Sequence, residues 1–320
     1  MSDGRGNVLI TSLARQVPLV ARFREVLGGP GDEVWGADPD PACVGRAFVD
    51  RFWRMPRLAS FSTEAWIDGC RERGIGLIVP TGDGDLAWLA ERRDALAAAG
   101  IHVPIPALRD VLDCDDRMRF YERCVATGVP AIQTFGNVPA ARRHVKLVVK
   151  ERHRAAGSSM AIGLDADAAA ARAKTLAHAV FQPVAEGVEH AVDLFVSREG
   201  ELIEAVPRVR LRVHAGESEV TETVEQPELV AASRDLAHAF SLRGPAVLRA
   251  FVERDGDVAF IGCRPRVGAA STLGFEAGCD TPRFVVMEAR GERITPRLGA
   301  YERGLRLVRH PVDRFERRGR

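Results

Sequence analysis

A chain of 320 residues that is 46% hydrophobic and 28% charged is long enough for two or three packed units and too apolar to be disordered. Its 45 basic and 44 acidic residues leave a formal charge of +1, so no global field draws it to nucleic acid or to an anionic membrane, and its expected partners are small molecules or proteins. The six cysteines, Cys43, Cys70, Cys114, Cys124, Cys263 and Cys279, form no C-x-x-C pair, which makes buried reduced thiols the expectation rather than a zinc clamp.

The polar start runs into an apolar stretch too short for a signal peptide, and no later stretch reaches membrane-spanning length, so a cytoplasmic location is expected. Residues Asn7 to Ser12 form that apolar run. A helical pattern follows from Val17 to Leu27, and after a Gly-Gly-Pro-Gly break Glu33 to Ala37 reads as a second strand. Thr63 to Arg73 has helical spacing, Ile75 to Pro80 is a buried strand, and Asp85 to Ala99 is a helix. Strands and helices alternating at these lengths imply a parallel sheet covered on both faces, over residues 1–106. The loop Ser12-Leu13-Ala14-Arg15 lacks G-x-G-x-x-G spacing, so no dinucleotide site is expected there. Thr81 to Asp85, beyond a strand's carboxyl end, is either a substrate-facing loop or a helix cap made by its aspartates.

A second unit, residues 107–181, is expected to hold helices over Leu108 to Cys114 and Arg117 to Thr127, a strand from His144 to Lys150, a Gly157-Ser158-Ser159 turn and an alanine-rich helix from Asp165 to Val180. The third, residues 182–320, has strand-like runs at Ala191 to Val196, Val206 to Val213, Val247 to Glu253 and Val258 to Cys263, and a helix from Glu228 to Leu242. Arg254-Asp255-Gly256-Asp257 predicts a hairpin, because Asp-Gly readily adopts the positive dihedrals of a tight turn. The arginine-rich end, Arg293 to Arg320, is expected to be a solvated helix and tail.

Only three of the basic residues are lysines, Lys146, Lys150 and Lys174, and two of them bracket one apolar strand. A compact ammonium at a strand end suits phosphate, although a surface charge explains it equally.

The order of these elements resembles the ATP-grasp superfamily, with the nearest likeness to carbamoyl-phosphate-synthase-like members, over about Asn7 to Glu288. Asp115-Asp116-Arg117 resembles the family's D-K helix start, and Val148-Val149-Lys150-Glu151 its V-V-K-P. Gln182-Pro183-Val184-Ala185-Glu186-Gly187-Val188-Glu189 is similar to the hinge Q-E-Y-I-x-G-x-E, with Pro183 at the hinge glutamate. His214-Ala215-Gly216-Glu217-Ser218 resembles H-T-G-D-S, Pro207-Arg208-Val209-Arg210 resembles P-R-x-R, and Phe260 to Arg266 stands where the family has F-I-E-I-N-P-R. Ala277-Gly278-Cys279-Asp280-Thr281-Pro282 matches A-G-x-D-x-P.

The resemblance implies an α/β fold: a Rossmann-like parallel-sheet domain followed by two ATP-grasp subdomains that enclose an ATP site. It further implies ATP-dependent ligation of a small-molecule carboxylate to an amine or similar nucleophile through an acyl phosphate, by a homodimer or beside a partner ligase. In that scheme Arg117 and Lys150 neutralise the triphosphate and Gly157, Ser158 and Ser159 close over it. Gln182 and Val184 border the base and Glu189 takes the ribose hydroxyls. His214 and Arg266 steady the transferring phosphoryl group, and Arg208 and Arg210 orient the acid.

The family's magnesium ligands correspond to Arg249, Gly262 and Arg264. Glycine has no side-chain oxygen, and arginine has donors only and a permanent positive charge. No carboxylate lies between Asp257 and Glu276. At 4 Å and an effective dielectric near 20, each guanidinium repels a unit positive charge by roughly 4 kcal/mol, and a divalent ion more. Two expectations remain open: Arg249 and Arg264 bind the phosphates directly in place of a metal, or the protein no longer turns nucleotide over and serves as a nucleotide or anion sensor or as an accessory subunit.

Overall fold

All six positions of Ile75–Pro80 are buried, as a strand requires when helices cover both faces of its sheet. The computed structural model describes residues 6–153, 160–214 and 216–315. In it β1 (Asn7–Thr11), β2 (Val34–Asp38), β3 (Arg51–Arg54) and β4 (Ile75–Pro80) form a parallel sheet in the order β3-β2-β1-β4. It is covered by α1 (Val17–Val26), α2 (Thr63–Glu72), α3 (Asp83–Glu91) and α4 (Arg93–Ala98). The single helix expected from Asp85 to Ala99 is two helices, because Arg92 sits at φ −106°, ψ 4°, between the helical and extended regions. The edge strand β3 was not legible from its four residues; its Trp53 stacks on the buried Trp66 with centroids 5.1 Å apart.

The second unit opens with α5 (Leu108–Asp115) and α6 (Arg117–Thr127). Asp116 caps α6 by accepting from Met118 and Arg119 amides, and Gly128 ends it in the left-handed region. After α7 (Val138–Ala141), an antiparallel sheet of order β6-β5-β7 is built from β5 (Leu147–Glu151), β6 (Ala161–Leu164) and β7 (Ala179–Pro183), with α8 (Ala166–Ala173) packed on it. The helix expected to reach Val180 stops at Ala173. Val149 pairs with Phe181 and Lys150 with Val180, so tertiary pairing overrides the helical preference of the alanine-rich stretch.

The third unit is a six-stranded antiparallel sheet of order β12-β11-β8-β9-β10-β13. Its strands are β8 (Val188–Val196), β9 (Leu202–His214), β10 (Glu217–Thr223), β11 (Gly244–Val252), β12 (Val258–Arg264) and β13 (Arg306–Val308). Helices α9 (Pro227–Ala239), α10 (Thr272–Ala277) and α11 (Thr281–Ala289) complete it. The Asp-Gly hairpin joins β11 to β12, with Gly256 at φ 96°. The helix expected in the arginine-rich end is absent from its described part. Instead β13 adds to the sheet edge, with Val308 opposite Val220 and Arg306 bonded to Glu222 at 2.6 Å. No helix among the described residues is long and apolar enough to cross a membrane.

Two contacts position the units. Residues 131–135 form a tether between the two antiparallel sheets: Ile132 donates its amide to Phe260 O at 2.9 Å, and Phe135 exchanges backbone bonds with Phe181, also at 2.9 Å. The first and third units share one core, in which Leu19 and Phe23 of α1 join Phe195 of β8 and Phe284 of α11. Five of the six cysteines are buried and none forms a disulfide.

Gly244, at the start of β11, has φ 71°, and a Cβ there would lie 2.0 Å from the carbonyl oxygen of Pro104. Gly244→Ala therefore combines left-handed strain with a backbone clash between units. Equilibrium urea unfolding should show a loss of about 2–3 kcal/mol.

Candidate functional site

Directly opposed residues in an antiparallel sheet share a face. The register places Gly262, Arg249, Ala191 and Arg208 in one row across β12, β11, β8 and β9, and Arg264, Val247, Asp193 and Val206 in the parallel row two residues away. Glu189 and Arg210 lie on the same face, on the other side of the first row. The opposite face carries Val192, Leu194, Leu248 and Cys263, which are buried against α6 and α9. The large sheet therefore has one apolar face and one whose outer part is charged, while Phe195 and Val206 further along it are buried in the core shared with the first unit.

At the outer end of the charged face, Glu189 Oε1 accepts from Arg210 Nη1 at 2.9 Å and from Arg249 Nε at 2.8 Å; Arg249 Nη2 is also bonded to it. Burial alone would raise the Glu189 carboxyl, but Arg249 and Arg210 hold it below the ordinary range. Arg210 also donates to Ser218 Oγ at 3.0 Å and to Gly216 O at 2.8 Å. Burial, with the charge of Arg249 beside it, lowers its pKa from the usual arginine value. Glu189, expected to take ribose hydroxyls, is thus already bound by two guanidiniums through Oε1. Arg210, expected to orient a carboxylate substrate, holds Glu189 instead.

Beneath this group lies a buried latch. Arg208 Nε donates to Asp193 Oδ2 at 2.6 Å, Ser271 Oγ donates to Asp193 Oδ1 at 2.5 Å, and Ser271 Oγ accepts from the Gly268 amide at 2.9 Å. Arg208, Asp193 and Ser271 are each 4% exposed or less. The latch pins the loop after β12, in which Arg266 donates from Nε to Asp83 Oδ1 at 2.5 Å and from Nη1 to Val267 O at 2.9 Å. Arg208, expected to orient the acid, is thus bonded to the carboxylate that holds this loop. Sequence reading missed Asp193, yet an acid inside the apolar run Ala191 to Val196 was the available signal, since buried charge is rarely left unpaired.

The Thr81 to Asp85 stretch divides its work. Thr81 donates to Thr11 O at 3.0 Å and Ser12 O at 2.7 Å, and Asp85 accepts from the hydroxyls of Thr11 and Ser12, with burial pushing its carboxyl up against those bonds. No side chain caps α3. Asp83 crosses to the third unit, 2.5 Å from Arg266 Nε and 4.0 Å from Arg264 Nε. A cavity of about 240 Å³ lies beside Asp83 and Arg264, between α3, α5 and the end of β12.

On the small sheet, the register puts Lys150 and Gln182 on one face and Leu147 and Val149 on the other, in the small hydrophobic core. Lys150 is 9% exposed. Gln182 donates to Thr134 Oγ1 at 2.8 Å, and the Val184 amide donates to Lys146 O at 3.1 Å, which engages it in the sheet. Arg117, expected at the triphosphate, donates from Nη1 to Glu151 O at 2.6 Å and from its amide to Arg152 O at 3.1 Å. His214 is exposed at the tip of the β9–β10 hairpin. It and Arg266 lie on opposite sides of the Gly262–Arg208 row, so the register does not bring them to one phosphoryl group. Gly157, Ser158 and Ser159 fall outside the described residues.

Magnesium takes oxygen ligands in near-octahedral array. Arg249, Gly262 and Arg264 offer none, and Glu189 is held by two arginines, so this row does not fit the ion. The side chains of Arg249 and Arg264 are 34% and 42% exposed on this face.

Residues 8–104 match the family model of the PylC-like N-terminal domain, and residues 175–310 match that of the ATP-grasp in the biosynthetic pathway with Ter operon. No curated protein matches the chain in sequence. Among solved structures, biotin carboxylase from Campylobacter jejuni in its beta-gamma-ATP complex superposes with a TM-score of 0.71 at 14% identity, over 94% of this chain and 74% of that one. L-amino acid ligase from Bacillus licheniformis gives 0.66 at 17% identity, over 91% and 77%. Rhizobium etli pyruvate carboxylase, with the allosteric activator acetyl coenzyme-A, gives 0.72 at 18% identity over 94% of this chain, which spans only 30% of that protein.

Two outcomes follow from the charged face. Asp193→Ala leaves Arg208 buried without its carboxylate and should cost about 3–5 kcal/mol in urea unfolding. Because the folded-state pKa of Glu189 is depressed, its stabilising contribution is present above the unfolded carboxyl pKa and is lost as pH falls through the folded value. Glu189→Gln should accordingly flatten the acid limb of stability when melting is followed from neutral pH down through the carboxylate range.

Proposed function

We propose, from the premise that this chain is an ATP-grasp protein, that it binds ATP or a related polyanion in the cleft between its small and large sheets without magnesium-assisted phosphoryl transfer. The observation that carries this reading is the row Arg249–Gly262, with Arg264 beside it and Glu189 clamped by Arg249 and Arg210. That row supplies fixed positive charge and no oxygen ligand for a divalent ion. Lys150 from β5 and the half-buried guanidiniums of Arg249 and Arg264 would hold the phosphates by their positive charge. The protein then acts as a nucleotide or anion sensor, or as the accessory partner of an active ligase. The working division is residues 1–106, 107–181 and 182–320.

A second reading is ATP-dependent ligation of a carboxylate to an amine through an acyl phosphate. It is favoured by the buried latch, which fixes the loop of Arg266 as a preorganised catalytic loop would be fixed. The two readings part in calorimetry with ATP. Equal affinity with and without magnesium, and no ADP released with carboxylates and amines present, supports the sensor. Tightening by magnesium together with ADP release supports the ligase, and failure of the full chain to bind ATP in either condition sinks both. Lys150→Ala should weaken ATP about tenfold, the loss of one charge-assisted contact.

A further inference from the structure

The strand β3 ends one side of the parallel sheet, and its outer side pairs with no strand among the described residues. The opposite edge is occupied: the Ile78 amide of β4 donates to His102 O at 2.9 Å, and the His102 amide to Gly76 O at 2.8 Å. Just before β3, the Asp50 amide donates to Val34 O of β2 at 3.0 Å. Backbone groups of a parallel ladder point to alternate sides residue by residue, so Phe52 and Arg54 turn theirs to β2 while Arg51 and Trp53 turn theirs outward. A cavity of about 380 Å³ is lined by Phe52, Trp53 and Arg54 together with Trp35, Glu72 and Arg73. Side chains of successive strand residues leave opposite faces, so a cavity touching three in a row runs along the outer edge of the strand.

Charge and chemistry narrow the occupant. The acids near this edge are engaged within the chain. Glu33 is held by Arg51 Nε at 3.0 Å and Trp35 Nε1 at 3.2 Å, and Glu72 by Arg73 Nη1 at 3.3 Å. Asp38, opposite Arg54 on β2, accepts from the amides of Ala14 and Asp40. The side chains of Arg54 and Arg57 are exposed and have no ion pair or hydrogen bond among the described residues. Edge arginines discourage a neighbouring copy, and an antiparallel second β3 would set Arg51 against Arg54 at both ends; that repulsion needs no cavity with indole and phenyl walls. An open strand edge alternates donors with acceptors, which a peptide backbone matches and a phosphodiester, having acceptors only, does not. We propose that the outer edge of β3 docks an acidic, extended segment of a partner protein, which adds a strand to the sheet, sets a carboxylate on Arg54 and packs an apolar side chain against Trp35, Phe52 and Trp53. The surface goes beyond the nucleotide reading and shares no residue with that cleft.

The test is calorimetric titration of the full chain, without nucleotide, using the blocked peptide Thr-Glu-Val-Val-Glu-Thr, whose pattern reads the same in both directions. It should bind saturably. Its lysine counterpart, Thr-Lys-Val-Val-Lys-Thr, and the acidic peptide N-methylated at both valines should each bind at least about tenfold more weakly, the scale of losing a charge-assisted contact or a backbone pairing. Arg54→Glu, at an exposed position, should exchange the preference of the edge from the acidic to the lysine peptide while leaving the melting temperature unchanged. No saturable binding of the acidic peptide, equal binding of its N-methylated form, or an unchanged preference in Arg54→Glu would overturn the proposal. Displacement of the peptide by ATP would place it in the nucleotide cleft, and tighter binding of an oligothymidylate that excludes the peptide would make the edge a nucleic-acid surface; either result sinks the inference. ATP titrated alone reports on the cleft separately, so intact ATP binding without peptide binding counts against this surface and not against the nucleotide reading.

Discussion

A carboxylate flanked by two guanidiniums governs the charged face of the large sheet. Glu189 accepts from Arg210 on one neighbouring strand and from Arg249 on the other. At about 4 Å and an effective dielectric near 20, each such attraction is worth roughly 4 kcal/mol before desolvation, and the two arginines repel one another on a similar scale. Glu189 is what allows both to occupy one face. Around Glu189 and Asp193 this part of the face gathers Arg208, Arg210, Arg249 and Arg264. A surface of this composition favours polyanions and disfavours a bare divalent cation.

The buried latch and the Asp83 contact give that surface its shape. Asp193 is reached from β9 by Arg208 and from the loop after β12 by Ser271, so three segments distant in sequence are fixed around one carboxylate. Arg266, carried by that loop, then meets Asp83 from the first unit. The shared core of α1, β8 and α11 holds the first and third units in the relation that this ion pair needs. Between the antiparallel sheets, the short tether of residues 131–135 bonds to Phe260 and Phe181 and sets the small sheet beside the large one.

The resemblance to ATP-grasp proteins rested on the order of short stretches rather than on any single one, and the fold bears that order out. The arginines are where it said least about use. Arg117 bonds to backbone carbonyls at the end of β5, Arg208 to a buried aspartate, and Arg210 to a glutamate and a hairpin turn. Each residue stands at its motif position while its donors are engaged within the chain. A guanidinium has five donors in a fixed fork, and which partners it meets depends on what the fold brings within reach.

The sequence by itself determined the elements with a strong local signal. The run Ile75–Pro80, the helix Arg117–Thr127 between its aspartate cap and glycine, and the Asp-Gly hairpin are set by periodicity, capping and turn chemistry within a few residues. It also determined the absence of oxygen ligands at positions 249, 262 and 264, which is a matter of composition. Only the tertiary structure decided that β7 replaces the end of an alanine-rich helix, that residues 306–308 form an edge strand, and that Glu189, Asp193 and Asp83 each capture arginines from elsewhere in the chain. Strand pairing and ion pairing act between residues far apart in sequence, and local propensity carries no record of which distant partner the fold will place opposite.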